Sequence, residues 1–317
     1  MLVQKTGEMA EAGTYRRSLG LIELVSLGVD RTVGSGIFVV PGVAAKLSGP
    51  GSLIAWGIVA LSASCVLLSL ASVSYRFTGS SGFYSLFESV FGARVAVLLS
   101  PPDGLLLYLI CFWDRYYCSR NRAVYHLFTI PSILLIEILV LAVFCGVNST
   151  GIAFSGKTEN VLTALKIIPL VIMSLLLVPF IRFENFVQSV PLTATGLLAT
   201  IIIIYWPFTG FEICAIPVEK TKDPTLIRRS LLIVMLIVVL LYLVLNISLI
   251  GSAGAEVLGD SPAPIATAAG ILVTQSGTIV AFIGIIAMLS AMNANIIVTS
   301  RILHTLPERF SVPKIRD

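Results

Sequence analysis

Long apolar stretches separated by short polar ones run along most of the chain. Runs of roughly 18 to 25 apolar residues, the length that crosses about 30 Å of hydrocarbon as a helix, recur about eight times. They predict membrane spans at about 20–46, 51–75, 93–112, 127–147, 160–181, 195–218, 229–252 and 278–301. The third is the weakest, because Pro101, Pro102 and Asp103 interrupt it and leave an apolar remainder that is short for a span. Phe83 to Phe91, following Gly79-Ser80-Ser81-Gly82, reads as a short amphipathic helix in the membrane interface.

Composition narrows the class. Hydrophobic residues make up 56% of the 317, charged residues 12%, and the mean hydropathy is +0.97. Soluble domains carry roughly a quarter charged residues, and disordered chains need low hydrophobicity, so both are excluded. A net charge of +4 spread along the chain makes no case for nucleic acid. Five cysteines show no CxxC or Cys/His spacing, and His126 and His304 are far apart, so neither a metal nor a cofactor is expected. The first 18 residues are polar and lack a cleavable apolar segment, which makes the first span a retained anchor. A cytoplasmic N-terminus puts about fourteen basic residues inside and leaves five outside: Lys46, Arg115, Arg120, Arg122 and Arg182.

Two spans are broken at membrane depth. Gly34-Ser35-Gly36 interrupts the apolar run Leu24 to Val40, and Thr209-Gly210 interrupts Ile201 to Ile216, where Pro207 removes a further amide donor. Unpaired backbone is tolerated there only if it is buried in protein or lines a cavity. The second break follows the first by five spans, an odd number that inserts the second unit upside down, as in secondary transporters built from inverted repeats. Freed amides at a half-helix N-terminus attract an anion and freed carbonyls at a C-terminus attract a cation, so an amino acid zwitterion satisfies both. Close packing of small residues is the competing explanation for Gly-Ser-Gly.

The residues around these breaks carry a resemblance. GVDRTVGSGIFVVPG (Gly28 to Gly42) resembles the first helix of amino acid permeases of the amino acid-polyamine-organocation (APC) superfamily, and FTGFEICAIPVEKTKDP (Phe208 to Pro224) resembles their sixth helix and the loop after it. GVNSTG (Gly146 to Gly151), LTALKIIPL (Leu162 to Leu170), SPAPIATAA (Ser261 to Ala269) and MNANIIVTSRIL (Met292 to Leu303) follow in the same order. The resemblance runs from about Ser18 to Arg301, excepting 95 to 128. It implies an all-α membrane protein with a LeuT-like inverted-repeat (5+5) fold, discontinuous first and sixth helices, and an incomplete second repeat. The organisation it suggests is a cytoplasmic segment over 1–19, a first five-helix repeat over 20–181, a partial second repeat over 195–301 and a cytoplasmic tail over 302–317. The plasma membrane is the implied location.

By the same resemblance, the amides of Gly34, Ser35, Gly36 and Ile37 would hold a substrate carboxylate. Carbonyls at Trp206, Pro207 or Phe208 would hold its amino group, in the break completed by Thr209 and Gly210, with Trp206 and Phe208 as covering aromatics. Lys166 matches a fifth-helix lysine that, in sodium-independent permeases, takes the place of a sodium ion between helices one, five and eight. A buried ammonium is costly, so it could release its proton and couple protonation to gating. Glu212 matches a glutamate that links occupancy to closure. The implied function is secondary amino acid transport by alternating access, by proton coupling or exchange and without catalysis. Its partners would be an amino acid, protons and the bilayer.

Two departures stand out. Asp30 and Arg31 occupy positions where the family has glycine and a small residue, one turn before the break. Asp30 could meet Lys166 or a cationic substrate and Arg31 a carboxylate, or the two charges could spoil the site. Secondly, the expected spans stop at eight, whereas the family core has ten, which suggests a truncated permease completed by a partner or a second copy. The alternative function is a truncated, non-transporting substrate-binding or sensor protein, or a fragment of a permease. The GxSG string at Gly79 to Gly82 lacks a histidine base in a nearby span and makes a weak case for an intramembrane serine protease.

Overall fold

A computed structural model describes residues 20–73, 152–187, 192–211, 225–273 and 277–291, with a few isolated positions besides. The third and fourth expected spans, the interfacial stretch at 83–89, the GxSG string, Glu212, residues 1–19 and the tail 302–317 lie outside them.

All secondary structure among the described residues is helical. The helices are α1 (Leu21–Thr32), α2 (Gly36–Ser48), α3 (Ser52–Val73), α4 (Ile152–Leu177), α5 (Ala194–Tyr205), α6 (Thr225–Ala253), α7 (Ala255–Asp260), α8 (Pro264–Ala269) and α9 (Gly277–Ala291). Three stretches are long and apolar enough to cross a membrane: Gly36–Ser72, Asn160–Phe180 and Thr225–Ala253. The first is not one rod, because Gly49, at a φ of 56°, ends α2 and a 3-10 turn over Gly49–Gly51 leads into α3. Ala194–Phe208 and Gly277–Ala291 are shorter apolar helices.

The first expected span is therefore two helices. Glu23 Oε2 accepts from the Gly20 amide at 2.9 Å and fixes the start of α1. The Val33 amide still bonds Val29 O at 2.8 Å, but the next amide, Gly34, turns back to Thr32 O at 3.0 Å, and the α-ladder stops. α2 begins afresh at Gly36. The helix that carries the fifth span starts at Ile152, well before the apolar stretch at Asn160–Phe180, because GKTEN contains no helix breaker beyond one glycine and continues the helix.

Packing follows membrane rather than soluble logic. On α3, Ala55, Trp56, Val59, Ala60, Ala63, Leu67 and Ala71 recur at helical spacing and are buried, while Ile54, Ile58, Leu61, Val66 and Leu68 point outward. Small residues face the neighbours and large aliphatics face outward, the arrangement expected when the surrounding solvent is hydrocarbon. α4 also presents aliphatics outward, at Leu165, Ile168, Ile172 and Leu176, but its inward face of Lys166, Leu170, Ser174 and Leu177 is mostly large. α6 forms the central post against α1, α3 and α4, and α5 lies against α2 and α3. Gly196 lets α5 approach Leu47 O, where an added Cβ would come within 3.0 Å, and Ser48 bonds Thr200 across the same seam at 2.7 Å.

α7 and α8 fold over the end of α2. A Cβ on Gly42 would lie 2.9 Å from Leu258 O, and one on Gly259 would lie 2.9 Å from Lys46 Cα. Two glycines thus bring α2 and α7 into backbone contact. At the rim, Lys46 and Asp260 form an exposed ion pair at 3.3 Å.

Candidate functional site

The two breaks meet. An added Cβ on Gly36 would lie 3.2 Å from Pro207 Cγ and 3.4 Å from its Cα, so the start of α2 rests directly on the second break. Gly210, at a φ of 112°, holds its turn open in a conformation that side chains rarely adopt. It rests on Arg31, whose carbonyl oxygen and Cγ would lie 2.9 and 2.8 Å from an added Cβ. The third link is Tyr242 of α6. Its hydroxyl lies 3.0 Å from Thr32 O at the end of α1 and 2.9 Å from Pro207 O in the second break, so one proton is shared between the two interrupted ladders.

These bonds decide which backbone groups remain on offer. The Gly34 amide donates to Thr32 O. Trp206 O accepts from the Thr209 amide at 3.1 Å and from the Thr209 hydroxyl at 2.8 Å, and Pro207 O accepts from Tyr242. Gly36 and Ile37 lead α2, whose opening amides have no carbonyl one turn earlier to bond. Ser35 is the N-cap residue of α2, and its side chain does not cap the helix.

An aromatic cluster backs the second break. Phe208 is buried edge-on to Tyr242, with centroids 5.1 Å apart, and Trp56 of α3 packs on both at 5.9 and 5.5 Å. Trp206 is only partly buried, beside the cluster. Trp56 and Tyr242 are not among the candidates read from sequence, where a lone aromatic in an apolar run gives no local sign of its partner.

Beneath the first break lies a buried ion pair. Lys166 and Asp30 side chains are both 0% exposed. Lys166 Nζ meets Asp30 Oδ1 and also donates to the Asp30 backbone carbonyl at 2.6 Å. Ser290 of α9 donates to the same carboxylate oxygen, and Thr163, one turn before Lys166, lies 3.4 Å from it. Asp30 Oδ2 has no partner among the described residues. The pair therefore ties α1, α4 and α9 together at one carboxylate. Of the two pairings open for Asp30 on sequence, Lys166 is the one present. Its neighbour Arg31 points elsewhere, and its Nε is buried without a hydrogen-bond partner among the described residues.

Chemically, the arrangement sets amides of one half-helix start against carbonyls of another break, with an internally neutralised charge pair to one side. No cluster of metal-ligating side chains occurs among the described residues. A cavity of about 460 Å³ lies elsewhere, at the C-terminal end of α6, lined by Phe180, Arg182, Ser252, Val257 and Ile271 among others. The breaks are instead closed on each other.

Comparison with known proteins gives a consistent answer. Residues 19–308 match the family model described as amino acid permease. The chain is 21% identical over 263 residues to the branched-chain amino acid permease BcaP of Bacillus subtilis, covering 75% of this chain and 55% of that one. It is 25% identical over 319 aligned positions to the inner membrane transport protein YbaT of Escherichia coli, covering 97% and 73%. Human cationic amino acid transporter 4 is 27% identical over 270 residues, covering 77% and 40%. The chain thus spans about half the length of the first of these relatives and less than half of the last.

Proposed function

This chain belongs to the amino acid permease family, and from that premise we propose that it moves amino acids across a membrane by alternating access. The observation that carries the reading is the meeting of the two breaks at Gly36 and Pro207, joined by the Tyr242 hydroxyl. In this reading the amides at Gly34, Ser35, Gly36 and Ile37 receive the substrate carboxylate, and the turn from Trp206 to Gly210 receives its amino group. Because the Gly34 amide and the Trp206 and Pro207 carbonyls are already bonded, substrate entry requires the breaks to part and these bonds to exchange. Phe208 closes the apolar side.

The wider architecture in this proposal is a LeuT-like inverted repeat in the plasma membrane, with the N-terminus in the cytoplasm. Lys166 fills a cation position between the first, fifth and eighth spans, and Glu212 follows the second break as a gating residue. Movement is driven by proton coupling or exchange.

The test is uptake of labelled amino acids by proteoliposomes loaded with unlabelled amino acids. The reading expects saturable counterflow that Gly36→Trp abolishes. Saturable binding without counterflow favours a sensor, and an absence of both from folded protein contradicts the reading.

A further inference from the structure

Among the described residues, the charges at the breaks do not balance. Asp30 and Lys166 neutralise each other out of contact with solvent, and the carboxylate oxygen they share also takes Ser290. Arg31 is left over. It lies in the last turn of α1, with its stem against Gly210 and its Nε buried. No hydrogen bond or ion pair links its guanidinium to any described residue. The carbonyl end of α1 offers it partial negative charge, but a helix terminus supplies only a fraction of an elementary charge and no planar pair of acceptors. A guanidinium presents five donors in a fork that fits a carboxylate bidentately.

An amino acid's own carboxylate and ammonium are answered by amides and carbonyls, which sum to no net charge. Among the described residues Arg31 is the excess. We infer that Arg31 is a specificity-determining residue and that the substrate class is amino acids with an anionic side chain, whose second carboxylate pairs with the Arg31 guanidinium beside Gly210. This deepens the transport reading of the same site and rests on it. It also separates this chain from a preference for cationic amino acids, for which a guanidinium without a counter-charge would be repulsive.

The test compares isosteres. Radiolabelled L-glutamate binding to the purified full chain is competed with L-glutamate, L-glutamine, L-leucine and L-arginine, in wild type, Arg31→Gln and Arg31→Lys. A charged hydrogen-bonded pair predicts that wild type binds L-glutamate roughly ten- to a hundredfold more tightly than L-glutamine. Arg31→Gln is expected to erase that preference while L-glutamine binding persists, and Arg31→Lys to keep part of it. The wild-type ranking tests the inference even if a variant fails to fold. Three results would overturn it: L-glutamine or L-arginine binding as tightly as L-glutamate, equal weakening of all ligands by Arg31→Gln, or a glutamate preference that appears only in Glu212→Gln, which would make Glu212 the partner. If folded protein binds leucine but shows no glutamate preference, this inference fails alone. If it binds no amino acid at all, the transport reading fails and takes the inference with it.

Discussion

Replacing Asp30 by Asn tests whether the buried pair is one unit. In the native protein Lys166 Nζ has two acceptors on Asp30, the side-chain oxygen and the backbone carbonyl, and both residues are fully removed from solvent. Asp30→Asn leaves the backbone acceptor but removes the carboxylate charge that the ammonium meets. Removing one member of a buried pair costs about 3–5 kcal/mol, because the remaining charge is stranded. Even the lower figure is a large share of a total stability of roughly 5–15 kcal/mol. At about 2–4 °C per kcal/mol, the apparent Tm of the detergent-solubilised protein should fall by roughly 6–20 °C. Lys166→Met alone strands the carboxylate and should cost a comparable amount. The double variant strands neither and should recover most of the loss, since replacing both members by neutral groups is often neutral or stabilising. Thermal unfolding of the four proteins decides it. A fall of less than about 2 °C for Asp30→Asn, or a double variant no better than either single one, would refute the pairing.

Three further predictions follow from separate contacts. Tyr242→Phe removes one hydroxyl that serves both Thr32 O and Pro207 O, so it should destabilise by about 1–3 kcal/mol and raise hydrogen exchange at both breaks together rather than at one. Gly42→Val should force α2 from α7, since a Cβ there already meets Leu258 O at 2.9 Å, and should abolish disulfide trapping of a Lys46→Cys, Asp260→Cys pair that forms readily without it. Asp223, outside the spans, accepts from the Thr225 amide at 2.9 Å and its hydroxyl at 2.7 Å, and the backbone bond above all holds its carboxyl below the usual carboxylate range. Its contribution to the start of α6 is therefore complete above the ordinary carboxylate pKa and lost as pH falls through the lowered one. Protection of the Thr225 to Arg228 amides, measured against the intrinsic exchange rate at each pH, should fall on acidification, and in Asp223→Asn this acid dependence should weaken.

What the sequence made legible is local. Runs of apolar residues placed α3, α4 and α6, because hydrocarbon thickness dictates their length, and glycines at 34, 36 and 210 marked the breaks because unpaired backbone there needs a reason. What it left open is long-range. Asp30 lies 136 positions from Lys166, and the spacing alone allowed a substrate, a lysine or neither as its partner. Tyr242 looks like any residue of an apolar run until its hydroxyl is seen reaching two broken ladders. Gly42 and Gly259 lie far apart in the chain, and only the approach of Gly42 to Leu258 O and of Gly259 to Lys46 reveals why neither can carry a side chain. Helix ends are a separate matter from span ends: the apolar stretch lies at Asn160–Phe180 as expected, but its helix starts at Ile152, since hydropathy reports the membrane and not the hydrogen-bond ladder.

The central claim is that the two breaks together form the amino acid site. Equilibrium binding of a panel of labelled amino acids to the purified, folded chain, with Gly36→Trp alongside, addresses it most directly. A Cβ at Gly36 already crowds Pro207, so an indole there must fill the space between the breaks. The account predicts saturable binding in the native protein and none in Gly36→Trp. Binding that survives Gly36→Trp undiminished would contradict it.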